Sequence, residues 1–400
     1  MDKKKMIIIV SVVGVILLVV GMFMFSYKLY QIKHAKINVK LNKDLVVEVY
    51  DQVHVSDFIK SMNGKLIDDE VIDTTKIGTK NITFQYINDD KIKVSYSFQV
   101  EVVDNTPPII GVSNYTVTKG YSDDLSKVFF CGDNYDDAPS CVIEGDYDVN
   151  TLGTYPLKFI ATDSSGNENS GNFTLSVIEK PDNTKSNNTK PSYIPFSDIV
   201  KEHKNKKTMV GIDVSHWQGE IDYQKLKESN VEFAFIRVGT ENAKGELYLD
   251  TKFEDYITGF NKVGIPVGIY YYSYADSVKR AEKEAKWVVK QIKKYKIDLP
   301  VVFDWENWSN YQEYHLSFHS LTEVATTFLD TVEKAGYDAM LYSSKYYLEN
   351  IWFPTDYKIW LAHYTSQTTY EGKYYVWQLC SNGKVDGIDD NAVDIDILYK

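Results

Sequence analysis

The stretch Pro300-Val301-Val302-Phe303-Asp304-Trp305-Glu306 is an apolar run that ends in two carboxylates one residue apart. Read as a strand, its period of two sends Val302, Asp304 and Glu306 to one face and Val301, Phe303 and Trp305 to the other. The Cα atoms of Asp304 and Glu306 then lie roughly 6.5–7 Å apart, with their side chains converging on one space. Carboxylates at the end of an otherwise buried strand are costly unless they serve a purpose. Residues after 208 therefore read as the scaffold of that pair, and those before it as a stalk.

Working outward, strands and helices alternate from residue 209. Strands are expected over 210–217, 233–238, 267–274, 299–306, 339–342, 359–362, 375–379 and 392–398. Helices are expected over 223–229, 253–263 and 278–295. A further helix is opened by the capping box Ser320-Leu321-Thr322-Glu323 and stopped by Gly336. This order predicts an irregular α/β (TIM-like) barrel over 209–400, parallel and losing its helices in the last third. An open doubly wound sheet is the alternative, but no Gly-rich phosphate loop follows any strand. Polar residues gather at the strand ends: Asp213, Arg237, Tyr270, Tyr272, Tyr274, Asp304 and Glu306, then His363, Tyr364, Trp377, Gln378, Asp394 and Asp396. In a barrel these ends meet at one mouth.

The chain has 400 residues, too many for one ordinary core, so several domains are expected. A net charge of -12 argues against nucleic acid as a partner. Three cysteines exclude a disulfide scaffold. Cys131 and Cys141 are close enough to bridge in an oxidising compartment, and Cys380 reads as a small buried residue. Residues 6–25 are apolar and uncharged after Lys3, Lys4 and Lys5, a length that fits the roughly 30 Å hydrocarbon core. They read as a single-pass signal-anchor, with 1–5 a cytoplasmic tail and the rest outside the cell membrane, facing the wall; a cleaved signal peptide is the alternative.

Residues 37–104 and 105–180 read as two all-β domains with an internal repeat. Ile77-Gly78-Thr79, Ile82, Phe84, Tyr86 and Asp89 recur as Leu152-Gly153-Thr154, Leu157, Phe159, Ala161 and Asp163. Each copy closes with an alternating strand, through Tyr96, Phe98, Val100 and Val102 or through Phe173, Leu175 and Val177. Asp133, Asn134, Asp136 and Asp137 lack the spacing of a calcium loop and read as a solvated turn. A polar linker is expected over 181–208.

An acidic, aromatic-rimmed mouth with no Cys/His cluster and no G-x-S-x-G elbow points to glycoside hydrolysis. That reaction needs one carboxylic acid to protonate the leaving oxygen and a second carboxylate to meet the positive charge on the sugar. Like-charge repulsion from Asp304, Asp213 and Asp394 is expected to keep Glu306 protonated as the acid. Arg237 reads as orienting a carboxylate, and Tyr270, Tyr272 and Trp377 as either packing or sugar platforms. No cofactor and no metal are expected.

The repeats, Asp163-Ser164-Ser165-Gly166-Asn167 above all, resemble bacterial immunoglobulin-like surface domains. The last 190 or so residues resemble the glycoside hydrolase family 25 lysozymes. The motifs are Gly211-Ile212-Asp213-Val214-Ser215-His216-Trp217-Gln218-Gly219, Phe235-Ile236-Arg237, Gly268 to Ala275, Glu284-Ala285, Pro300 to Glu306, Leu341-Tyr342-Ser343, Ile359 to Ala362, Trp377-Gln378 and Val393-Asp394. The resemblance implies a barrel with fewer helices than strands. It implies cleavage of the β-1,4 bond between N-acetylmuramic acid and N-acetylglucosamine in peptidoglycan glycan strands. Glu306 then matches the general acid, Asp304 the carboxylate before it, Asp213 the first-strand aspartate and Asp394 the last-strand one. Tyr271 stands where many members carry His, and Asp396 where many carry Asn. The competing readings are a catalytically silent wall-binding surface protein and an enzyme for another N-acetylated glycan such as chitin.

Overall fold

The computed structural model describes residues 3–181, 192–242, 244–389 and 391–400. Helix α1 (Lys3–Lys33) has 31 residues, a length of about 46 Å at 1.5 Å per residue. It continues past position 25, where the apolar run ends. Over Val13–Lys33 it is long and apolar enough to cross a membrane by length and composition, and none of that window is buried. The chain forms two compact units, Met1–Asn105 and Thr106–Lys400.

In the first unit, β1 (Gly78–Asn88) and β2 (Lys93–Val103) form a hairpin. Gly64–Leu66 pairs with β1, and Val46–Glu48 runs parallel to β2. In the second unit, β3 (Phe130–Gly132) pairs with Ile109–Gly111. β4 (Gly153–Thr162) and β5 (Glu168–Ile178) form the matching hairpin. The alternation seen in the sequence places Leu157, Phe159, Ala161, Phe173, Leu175 and Val177 in its core. The two hairpin turns solve the same backbone problem differently. The second uses Gly166 at φ 91°, and the first forces Lys91 to φ 62°, a conformation that costs a side-chain residue about 1–2 kcal/mol. Cys131 and Cys141 are joined in a disulfide. The acidic run forms a turn, in which Asp133 Oδ2 accepts the Tyr135 and Asp136 N–H groups at 2.9 and 2.8 Å, but Asp133 is buried rather than solvated as expected.

The barrel begins earlier than its sequence suggests. Ile194–Pro195 pairs with a barrel strand, and α2 (Phe196–His203) buries Phe196 and Ile199 in the barrel's outer core. These residues were expected in the linker because charged residues mask two apolar anchors; residues 182–191 of that linker lie outside the described residues. The strands are β6 (Thr208–Val214), β7 (Ala234–Glu241), β8 (Val267–Tyr272), β9 (Val301–Asp304), β10 (Ala339–Ser344), β11 (Lys358–Ala362), β12 (Val376–Lys384) and β13 (Val393–Tyr399). β6 to β12 pair in order and in parallel. β13 closes the barrel antiparallel to both β12 and β6, which departs from the expected parallel arrangement. A tight connection from β12 leaves no length for the crossover helix a parallel strand needs.

Helices α3 (Tyr223–Glu228), α4 (Phe253–Val263), α5 (Val278–Ile292) and α6 (Phe318–Lys334) lie on the early strands. α6 begins two residues before the predicted capping box: Ser317 is its N-cap, accepting the Ser320 N–H at 3.1 Å. Inside the barrel, Phe235 stacks on Trp360 with centroids 4.5 Å apart, beside Val302, Met340 and Val376. Gly268 makes room for that layer, because a Cβ there would meet the Phe235 ring at 2.2 Å. Each buried aromatic contributes up to roughly 3 kcal/mol relative to exposure. As the alternation required, Val302 faces inward while Val301, Phe303 and Trp305 pack outward in the helix layer.

Candidate active site

β9 stops at Asp304, and Glu306 stands in the turn beyond it, where Trp308 N–H donates to the Glu306 carbonyl at 2.8 Å. Ser273 N–H donates to the Asp304 carbonyl at 2.7 Å and ties the ends of β8 and β9 together. Asp213 ends β6 directly opposite Asp394 of β13. A cavity of about 220 Å³ opens here. Asp213, Asp304, Glu306, Asp394, Arg237, Tyr270 and Tyr272 all line it, joined by Ser215, Trp217, Gln218, Tyr342, Trp360, Tyr364 and Gln378. A larger cleft of about 460 Å³ lies beside Tyr274, Asn307, Glu313 and Tyr314.

Asp304 and Glu306 perturb each other's ionisation, as do Asp213 and Asp396. Burial raises Asp304 well above the usual carboxylate range; the Glu306 charge and the hydrogen bond to it push the same way, against Arg237. Burial also raises Glu306, but its hydrogen bond with Asp304 lowers it. Like-charge repulsion therefore acts on Asp304 rather than on Glu306, the reverse of the expectation. Asp304 lies within the strand and is buried, whereas Glu306 stands in the turn beyond it. Asp213 is raised by burial and then by Asp394 and Asp396. Asp394 is raised to about 7, by burial and then by Glu306.

The remaining polar side chains hold these carboxyls in place. Gln378 Nε2 donates to Asp213 Oδ2 at 2.8 Å. The Gln378 carbonyl oxygen accepts from Tyr342 and Tyr364 hydroxyls, at 2.9 and 3.0 Å. Trp360 Nε1 donates to Asp396 Oδ1 at 2.9 Å. Arg237 pairs with Asp250 at 2.7 Å and also meets His216, so it fixes the loop bearing Trp217 rather than the acid pair. Trp217 projects from that loop at the rim with 69% of its surface exposed.

Two residues fall outside the cavity. Trp377, expected as a sugar platform, faces out of the barrel: its Nε1 donates to the His363 carbonyl at 2.9 Å and its ring meets His203 edge-on. Its neighbours Val376 and Gln378 point inward, so strand alternation requires this. Tyr271 likewise stacks outward on Phe328, so the exchange of His for Tyr lies away from the cavity. Tyr342, Trp360 and Trp217 were not singled out from sequence as site residues, whereas Tyr364, Gln378 and Asp396 were expected at the mouth as strand-end residues without an assigned role. The signal for Asp396 was its spacing of two from Asp394, which puts both on the inner face of β13.

Buried carboxyls also set the pH dependence of stability. Glu284 on α5 is fully buried and raised to about 7 by burial, against the Ser273 hydroxyl that donates to it at 2.5 Å and the charge of Arg280. Its folded value exceeds the unfolded one near 4.3. Its contribution to stability is therefore complete below about pH 4 and is lost as pH rises through 7, by up to about 1.4 kcal/mol per pH unit. Asp394 acts in the same direction. The melting temperature is expected to fall between pH 5 and pH 8 in calorimetry, and Glu284→Gln to flatten that fall. A melting temperature that rises over the same range would contradict this.

The family described as Glycosyl hydrolases family 25 matches residues 212–388. An autolytic lysozyme of Clostridium acetobutylicum is 27% identical over 191 residues, 47% of this chain and 55% of that protein. The match thus spans about half the length of that relative. Lysozyme M1 of Streptomyces globisporus is 36% identical over 63 residues, 16% of this chain and 20% of its own. Among solved structures, the modular autolysin LytC of Streptococcus pneumoniae with a synthetic peptidoglycan ligand has a TM-score of 0.44 at 24% identity, covering 60% of this chain and 56% of LytC. A family 25 glycosyl hydrolase from Bacillus anthracis has a TM-score of 0.43 at 22% identity, covering 54% and 95%. Residues 212–388, whose carboxyls Asp213 and Asp304 line the mouth of the barrel beside Glu306 and Asp394, are thus similar to the glycosyl hydrolases of family 25.

Proposed function

We propose that this protein is a membrane-anchored peptidoglycan hydrolase that cleaves the β-1,4 bond between N-acetylmuramic acid and N-acetylglucosamine. In this reading α1 is the anchor, the two β domains are immunoglobulin-like, and the barrel faces the wall. The observation that carries it is the Asp304–Glu306 carboxyl pair lining an aromatic-walled cavity at a barrel mouth. Of the two paths open to a retaining enzyme with such a pair, we take the one in which the substrate's own acetamido oxygen attacks.

One proton serves the pair. When the substrate acetamido N–H donates to Asp304, Asp304 stays ionised and the proton resides on Glu306. Glu306 passes that proton to the bridging oxygen as the sugar C1–O bond breaks and the acetamido oxygen bonds to C1. Asp304 offsets the positive charge on the resulting ring. The Glu306 carboxylate then takes a proton from water, whose oxygen displaces the acetamido oxygen from C1 with net retention. Asp213, Asp394, Tyr270 and Tyr272 bind the sugar, and Trp217 gives it an apolar face.

The test is digestion of purified peptidoglycan by the full chain in detergent, followed by borohydride reduction and mass spectrometry. Reduced muramic acid ends are the expected product. Reduced glucosamine ends would reverse the bond assignment, and the absence of new ends would leave a wall-binding protein. Cleavage of chitin at an equal rate would widen the substrate class.

A further inference from the structure

We propose that the β domain spanning β3 to β5 is a positioning element of the catalytic site rather than a spacer, acting through Phe130 on the loop 307–316. The inference rests on the glycosidase reading above. The loop follows Glu306 directly, and its Asn307, Glu313 and Tyr314 line the 460 Å³ cleft together with Tyr274. Such a cleft is where further sugars or attached peptide of a long polymer would lie. The loop's own structure is one short, kinked 3-10 segment, Trp308–Tyr314, a weak form of helix.

What holds the back of this loop comes from the β domain. The Phe130 ring sits in a socket of Tyr311, Phe318, Trp308 and Tyr347, with centroids at 5.2, 6.2, 6.3 and 6.2 Å. Two residues on, Gly132 passes so close that a Cβ would lie 2.6 Å from the Tyr311 ring and 2.7 Å from that of Phe318. The disulfide through Cys131 fixes the strand between these two points. Gln312 Nε2, from the loop, donates to the Phe129 and Ser126 carbonyls at 2.9 and 3.2 Å. At the loop's far end, Phe318 N–H donates to the Asp133 carbonyl at 2.7 Å, and Ser317 N–H to Asp137 Oδ1 at 2.8 Å.

Packing continues from there to the chemistry. Trp308 stacks on Tyr347 at 3.7 Å and meets Trp305 edge-on at 4.7 Å, and Trp305 is the residue between the two carboxylates. Without the β domain, Tyr311 and Phe318 would lose the Phe130 cover and Gln312 its hydrogen bonds, leaving the loop its internal hydrogen bonds and the packing of Trp308 and Tyr314 on the barrel. Displacement of a cleft wall by an ångström is enough to disturb a bound polymer.

The experiment compares wild type, Phe130→Ala, Phe130→Leu and Gln312→Ala in the full chain, with soluble glycan strands as substrate. Phe130→Ala is expected to raise KM on the order of tenfold while kcat and the pH profile change less than about threefold. Hydrogen exchange at residues 307–316 is expected to accelerate, Phe130→Leu to restore most of the loss, and Gln312→Ala to shift both readouts the same way. Gln312 touches only backbone carbonyls of the β domain, so its variant carries the test if Phe130→Ala melts the β4–β5 hairpin. Unchanged KM together with unchanged loop exchange would overturn the inference. The exchange measurement needs no turnover, so an inactive wild type would defeat the glycosidase reading while leaving the loop contact still measurable.

Discussion

Glu306→Gln is expected to slow the release of reducing ends from purified peptidoglycan by roughly 10²–10⁴-fold, with wall binding intact. The amide keeps the shape and exposure of the glutamate at the rim, so the fold has no reason to change. What it lacks is the proton for the bridging oxygen, an interaction made only as that bond breaks. Kcat should therefore fall with little change in KM. A substrate with a good leaving group, such as an aryl glycoside, should recover much of the first step, because its oxygen departs without protonation. Equal rates for wild type and variant on wall polymer would remove Glu306 from the mechanism.

Asp304→Asn is expected to cost on the order of 10²–10³-fold in kcat. Asp304 is buried, and the charge of Arg237 is a minor influence toward its ionised form. Asparagine fills the same space but cannot balance a positive charge on the acetamido-bonded sugar. Substrates with a progressively fluorinated N-acetyl group separate the two possible roles. A steep fall in wild-type rate with fluorination supports attack by the acetamido oxygen, whereas a flat series assigns the attack to Asp304 itself.

Much of this site was legible because strand alternation is a hard geometric rule. Spacing alone put Val302, Asp304 and Glu306 on one face, but β9 stops at Asp304 and Glu306 reaches the cavity from the turn beyond; on β13 the same rule groups Asp394 with Asp396. Trp377 shows the rule being overridden by chemistry: an aromatic at a strand end suggested a sugar platform, although Gln378 beside it already claimed the inner face. Strand direction is not encoded in alternation, so the antiparallel β13 could not be read. The start of α6 was misplaced because Ser320 and Glu323 imitate a capping box, while the true cap, Ser317, has serine rather than glutamate three positions on. Phe130 looked like any strand residue, since nothing local marks a side chain whose partners lie some 180 positions away.

β13, wedged between the first and seventh barrel strands, has a consequence for biosynthesis. Until residue 399 has emerged, the ring has a gap, and Asp213 lacks both Asp394 and Asp396. Under the proposed export of this chain, Asp213 would gain both carboxyl neighbours only after β13 had passed the translocation machinery.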